Sequence, residues 1–486
     1  MRDVKRGDTQ LALKAGVWYV FSNFLVKGMA FITTPIFARI MTREDYGEFS
    51  NFASWLSVLL IIAGAELYNT ISRAYYDYTD NLDSYVSTVT IASCGITIML
   101  YVLALLFKDT VTTIIAVPEK YIHVLFAALL SQCCKQVFMA RERTMYRYKT
   151  VAMISVINLV IPTLIATILV LLLPNDQKLS GRIYGFYVPS IIIGLTCGAL
   201  MLGRRGTFRK DQLKYAFKLS LPLLAHHLTS YSLTSSNTIV TKKMLGAAKS
   251  AIVSISSSTV HILTILFHAI SGAVTTWLMD NLKQNNYRKI YKDSLLYMAT
   301  LSVISIGVIL LTPEIVWLLG DSRYAEAVSL IPGQILAVLI HSFTSIFITI
   351  LTYDKNVTPT AIVTGVVAAL NVVSKVLLLP LWGIQALPYI NVASYAILFV
   401  ANYILVYRAG YSRAINLKMM VTILLAVAVV SAVSFFLYDH TLIRYGFILI
   451  LIIGALIIAY KNKAAIIELL KSRKKKTSKI EDNQST

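Results

Sequence analysis

At 486 residues the chain is long enough for two or three soluble domains, yet 57% of it is hydrophobic, 14% is charged and its mean hydropathy is +0.68. A soluble domain carries roughly 25% charged residues, so too little polar material exists to coat a water-facing surface, and a soluble globular protein is excluded. The formal charge of +21 comes from basic residues placed between apolar runs, not interleaved with stacking aromatics; that pattern sets topology and argues against nucleic-acid binding.

A helix that spans a hydrocarbon core of about 30 Å needs about 20 mostly apolar residues. Such runs fall at 15–40, 47–72, 84–107, 119–140, 149–173, 182–203, 217–241, 249–276, 293–319, 324–352, 357–380, 383–407, 417–437 and 442–460. The expected fold class is therefore an all-α polytopic membrane protein of about fourteen transmembrane helices. The basic residues 1–7 precede a first run that lacks a small-residue cleavage site and is too long for a signal peptide, so this run is expected to stay as the first span. Cys94, Cys133, Cys134 and Cys197 all lie inside apolar runs without a CxxC pair. They read as small hydrophobes, with no disulfide framework and no metal site.

With the N-terminus placed inside, about 31 of the 45 Lys and Arg fall on the inner side and about 11 outside. The loops 141–149 and 204–218 and the tail with Lys471, Arg473, Lys474, Lys475, Lys476 and Lys479 carry the bias. Both termini are expected inside. No loop is long enough to house a catalytic or receptor module.

Comparison of 1–203 with 204–407 suggests a parallel repeat of six spans per half, related by an axis along the membrane normal, with a cavity expected between the halves. The expected organisation is 1–203, 204–407, two further spans over 408–460 and a basic tail over 461–486.

Polar residues inside the spans give the sharpest chemical signal. In the eighth span Ser254, Ser257, His261, Thr264, His268, Ser271 and Thr275 step by three or four, which puts them on one helical face. His226, Ser230, Thr234, Asn237 and Thr241 repeat the pattern in the seventh. Asn23 and Lys27 do so in the first, and Glu66, Asn69 and Arg73 close the second. Such stripes are tolerated only against other helices or a water-filled cavity. A Lys27 ammonium too deep to snorkel fully would attract a phosphate or diphosphate. Glu66 and Arg73, seven apart, could pair, either as a structural ion pair or in transport. His261 and His268 could gain charge with pH or be satisfied by hydrogen bonds. His226 and His227 diverge by about 100° and cannot both face one cavity centre. Lys375, near an outer helix end, is expected to snorkel.

The segments Lys14-Ala-Gly-Val-Trp-Tyr-Val-Phe-Ser-Asn23, Pro35-Ile-Phe-Ala-Arg39 with Tyr46-Gly47, Tyr324 to Pro332, and Asn371 through Ala386 resemble the polysaccharide-transporter branch of the multidrug/oligosaccharidyl-lipid/polysaccharide flippase superfamily, and within it the O-antigen and capsule repeat-unit flippases. The resemblance implies two six-helix bundles in a V, with spans 1, 2, 7 and 8 facing a central cationic lumen. It implies no cofactor. The implied substrate is an undecaprenyl-diphosphate-linked oligosaccharide, flipped across the bacterial cytoplasmic membrane by alternating access, with a polysaccharide polymerase and a chain-length regulator as partners. The lumen residues it would use are Lys27, Asn23, Arg73, Glu66, His226, Ser230, Thr234, Asn237, Ser257, His261, Thr264 and His268. Asn237 stands where such proteins often have Asp, and Lys375 where they often have Asn. Two other readings compete: a drug or cation antiporter of the same superfamily, which would need lumen acids beyond Glu66, and a membrane polysaccharide polymerase or transferase, which would need a larger outer loop or paired acids.

Overall fold

The computed structural model describes residues 33–78, 81–203, 207–355 and 357–461, with α-helices and short 3₁₀ turns as the only regular structure among them. Residues 33–40 are helical and lead into α1 (Arg43–Gly64). The chain continues through α2 (Ile71–Asp77), α3 (Leu82–Leu106), α4 (Lys108–Ile115), α5 (Ile122–Thr144), α6 (Tyr148–Leu172), α7 (Lys178–Leu202) and α8 (Lys210–Leu245). It then runs through α9 (Ala247–Lys283), α10 (Tyr287–Leu310), α11 (Thr312–Gly320), α12 (Ile331–Tyr353), α13 (Val357–Trp382), α14 (Ala386–Arg408), α15 (Leu417–Asp439) and α16 (Thr441–Lys461). Ten stretches among the described residues are long and apolar enough to cross a membrane, and one of them, Thr358–Arg408, holds both α13 and α14. The polar-striped α8, 36 residues and so about 54 Å long, and the C-terminal α16 complete the series after the first span. This is an all-α, multi-pass membrane protein.

Local chemistry sets the helix ends. Thr42 caps α1 by accepting the Asp45 amide at 3.1 Å, with Glu44 and Asp45 in the first turn where the helix dipole favours acids. At the other end Ala65 (φ 44°) and Glu66 (φ 53°) both adopt the left-handed conformation. Non-glycine residues rarely do so. The pair breaks the helix and starts a 3₁₀ turn over Leu67–Thr70 before α2.

Apolar packing falls into three clusters. One joins Phe52, Leu125, Leu129 and Tyr187 inside the first half. A second joins Leu67, Val89, Val137, Met201 and Ala216. The largest fills the second half through Leu301, Phe343 and Phe347, and also takes in Phe37, Ala38, Met41 and Tyr46 from the first. The stretches before and after residue 203, called the first and second halves, therefore share a core at the end that holds residues 41 and 246, named the outer end after the expectation from the charge count. At that outer end the Arg182 guanidinium of α7 lies 3.3 Å from the Phe37 ring centroid and 4.3 Å from that of Phe49, a cation–π stack that ties 33–40 and α1 to α7.

Candidate functional site: a polar interior beneath a closed outer seal

The helices α1, α8 and α9 pack against one another where the two halves meet. Their outer ends touch closely. A Cβ built on Gly47 would lie 1.9 Å from the Ala247 carbonyl oxygen, so only glycine permits this approach. Tyr46 meets Tyr324 edge to face, with centroids 6.2 Å apart. Charge adds direction to the packing. Lys242 of α8 donates to Glu48 at 2.5 Å and also to the Ala116 carbonyl. Arg323 donates to the Ala38, Arg39 and Met41 carbonyls at 2.8, 3.0 and 3.3 Å, while Arg39 donates back to Trp317 and Leu318. Arg323 itself is steadied by Asp321 at 3.0 Å. These contacts close the outer end.

From about 15 Å further in, counted at 1.5 Å per residue from Ala247 to Ser257, a polar face begins on α9. On α9, His261, His268 and Thr275 are exposed and Ser257 and Thr264 half-buried, whereas Ile255, Leu263, Phe267 and Leu278 on the other faces are buried. An exposed polar face is costly against lipid and fits water between the halves. Not every member of the stripe belongs to it: the Ser271 hydroxyl pairs with the Tyr297 hydroxyl at 2.7 Å, inside the second half.

Glu66 and Arg73 do not pair. The left-handed break at Ala65–Glu66 destroys the continuous helix that a seven-residue step requires. Glu66, 4% exposed, instead meets His227 Nδ1 at 2.9 Å and accepts from Asn69 at 2.5 Å. Arg73 lies exposed at the inner end and bonds Asp77 at 3.1 Å. The Tyr215 hydroxyl, and after it Arg73, hold the Asp77 carboxyl below its usual range. His227 thus joins the two halves in the interior; the signal for it was the deep acid Glu66, which demanded a partner.

Asn237 is buried within the second half and accepts from Asn391 at 3.5 Å. Lys375 does not snorkel. It is 0% exposed and donates to the Ser236 hydroxyl at 2.8 Å and the Leu233 carbonyl at 3.3 Å, because α8 covers the route to the surface. Asn23 and Lys27, and the side chains of His226, Ser230 and Thr234, lie outside the described residues.

A family model described as "Polysaccharide biosynthesis protein" matches residues 12–282, more than half of the chain. Curated proteins give no match. Among solved structures, the lipid II flippase MurJ in an inward closed conformation aligns with a TM-score of 0.66 at 13% identity, over 93% of this chain and 100% of that one. An inward-facing multidrug resistance MATE family transporter of the MOP superfamily aligns at 0.61 and 11%, over 82% and 99%. An outward-facing one aligns at 0.54 and 12%, over 82% and 96%. These likenesses place the fold with the MurJ and MATE transporters.

Proposed function

Because the chain belongs to the polysaccharide biosynthesis protein family, we propose that it flips an undecaprenyl-diphosphate-linked oligosaccharide across the bacterial cytoplasmic membrane by alternating access. The observation that carries this reading is the exposed polar face of α9, with the Glu66–His227 contact beside it, lying beneath a closed outer seal. That arrangement suits cargo made on the inner side. Lys27, aided by Arg73, would hold the diphosphate by charge. Asn23, His226, Ser230, Thr234, Ser257, His261, Thr264 and His268 would exchange hydrogen bonds with sugar hydroxyls, while the prenyl tail stays in lipid. Asn237, bonded inside the second half, would support α8 from behind. The halves 1–203 and 204–407 would rock about the interior, with 408–460 riding alongside the second.

The fold likeness to MurJ, described as a lipid II flippase, agrees with lipid-linked cargo. A cation antiporter would use free acids in the interior, and Glu66 is already engaged by His227 and Asn69. The test is the leaflet occupied by lipid-linked repeat units in cells lacking this protein. They should accumulate on the cytoplasmic leaflet, and wild type should restore export. Lys27→Ala, at equal expression, should restore it poorly. Repeat units that reach the outer leaflet unpolymerised would reject the flippase in favour of an enzyme.

A further inference from the structure

Among the described residues Lys375 has no carboxylate partner. Its surroundings are neutral: Ser236 and Leu233 on α8 contact it directly. One turn away on its own face, Asn371 (1% exposed) donates to Asn391 and Ser394 of α14 at 3.2 and 2.8 Å. The Asn371 Oδ1 atom is buried and accepts from no described residue. A buried ammonium balanced only by dipoles is costly. An ammonium has three hydrogens to donate, and among the described residues Lys375 donates to two acceptors, the number an uncharged amine requires.

Three titratable groups on the helices around α13 have other partners. Lys242 is held by Glu48, His227 by Glu66, and Tyr395 lies against His341 with ring centroids 5.0 Å apart. None of them contacts Lys375. Ser236 precedes Lys242 on α8 by six residues, about 9 Å along one helix, so the Lys375 contact and the outer seal sit on the same rigid element.

We propose that Lys375 is the site at which the protein binds and releases one proton in its cycle, and that α8 carries the change to the Lys242–Glu48 contact at the outer seal. This rests on the transport reading and supplies its coupling ion. The outer-closed arrangement holds the amine donating to Ser236 and Leu233. Protonation at Nζ adds a charge and a third donor that this pocket does not satisfy, and the arrangement that hydrates them opens the outer end. Loss of that proton to water returns the amine to its two acceptors.

The experiment uses the full chain in proteoliposomes without lipid-linked cargo, so that a failed flippase assay and a failed coupling site are told apart. Spin labels on Thr42→Cys and Ser322→Cys, in a Cys94→Ala background, report the outer separation across roughly pH 5 to 9, where a buried lysine can titrate. In wild type the open-to-closed ratio should rise as pH falls, by up to about tenfold per pH unit for one proton. Lys375→Met should abolish that response, and Lys375→Arg should stay open throughout. Ser236→Ala, which keeps the lysine but removes an acceptor, should shift the midpoint and covers the case in which Lys375→Met does not fold. A pH response that survives Lys375→Met, or a midpoint unmoved in Ser236→Ala, would overturn the proposal.

Discussion

Glu66, at a helix break, and Lys375, inside a helix, are both buried ionisable groups, and their neighbours treat them differently. The carboxylate of Glu66 has a half-exposed histidine from the other half of the molecule. Removing that partner leaves the buried carboxylate with Asn69 as a donor, and a lost hydrogen bond to a charged group costs about 1.5–3 kcal/mol. His227→Ala should therefore lower the melting temperature of the detergent-solubilised protein by more than Glu66→Gln does. The double variant Glu66→Gln/His227→Ala should recover part of the loss, and additivity of the two single effects would show that the contact carries no coupling. Both residues were visible in the sequence as deep polar positions, but the identity of the partner was not. A helical wheel assigns neighbours only while the helix continues, and the break at Ala65–Glu66 turns Arg73 away from Glu66.

Elements meet at the outer end because a glycine faces a backbone. Gly47→Ala forces a methyl group against the Ala247 carbonyl, and overpacking of this kind costs about 1–3 kcal/mol. The strain falls on the closed state alone, so a cysteine at Ser254 should react faster with an impermeant maleimide from outside; unchanged reactivity would mean the contact is not part of the seal. At the inner end, the start of α8 is fastened to the first half. Tyr215 donates to Asp77, and the Ser84 and Thr88 hydroxyls donate to Gln212 at 3.3 and 2.9 Å. Because the folded Asp77 carboxyl titrates below its usual range, its contribution is present above that range and is lost as pH falls through the folded value. Asp77→Asn at neutral pH should reproduce the acid condition, with faster tryptic cleavage after Lys210 and Lys214. Equal cleavage rates would remove Asp77 from the fastening. The amphipathic period of these helices is readable from residues alone, whereas the pairing of their ends depends on which helices become neighbours.

For the whole molecule, alternating access requires the outer seal to open once per cycle. A short bifunctional thiosulfonate joining Glu48→Cys to Lys242→Cys, in a Cys94→Ala background, should stop export of repeat units, and reduction should restore it. Export that continues in the cross-linked protein would show that the seal does not move during transport. Membrane insertion, an all-helical fold of about fourteen spans and polar faces on the helices that line the interior all follow from local properties of the chain. Hydrocarbon requires a helix to satisfy its own backbone, and a polar stripe at helical spacing declares its face without reference to any other segment. The Glu66–His227, Lys242–Glu48 and Lys375–Ser236 contacts join residues separated by 161, 194 and 139 positions in sequence. Those separations are closed only when helices pack, and the left-handed dihedrals of Ala65 and Glu66 decide that Glu66 meets His227 and not Arg73.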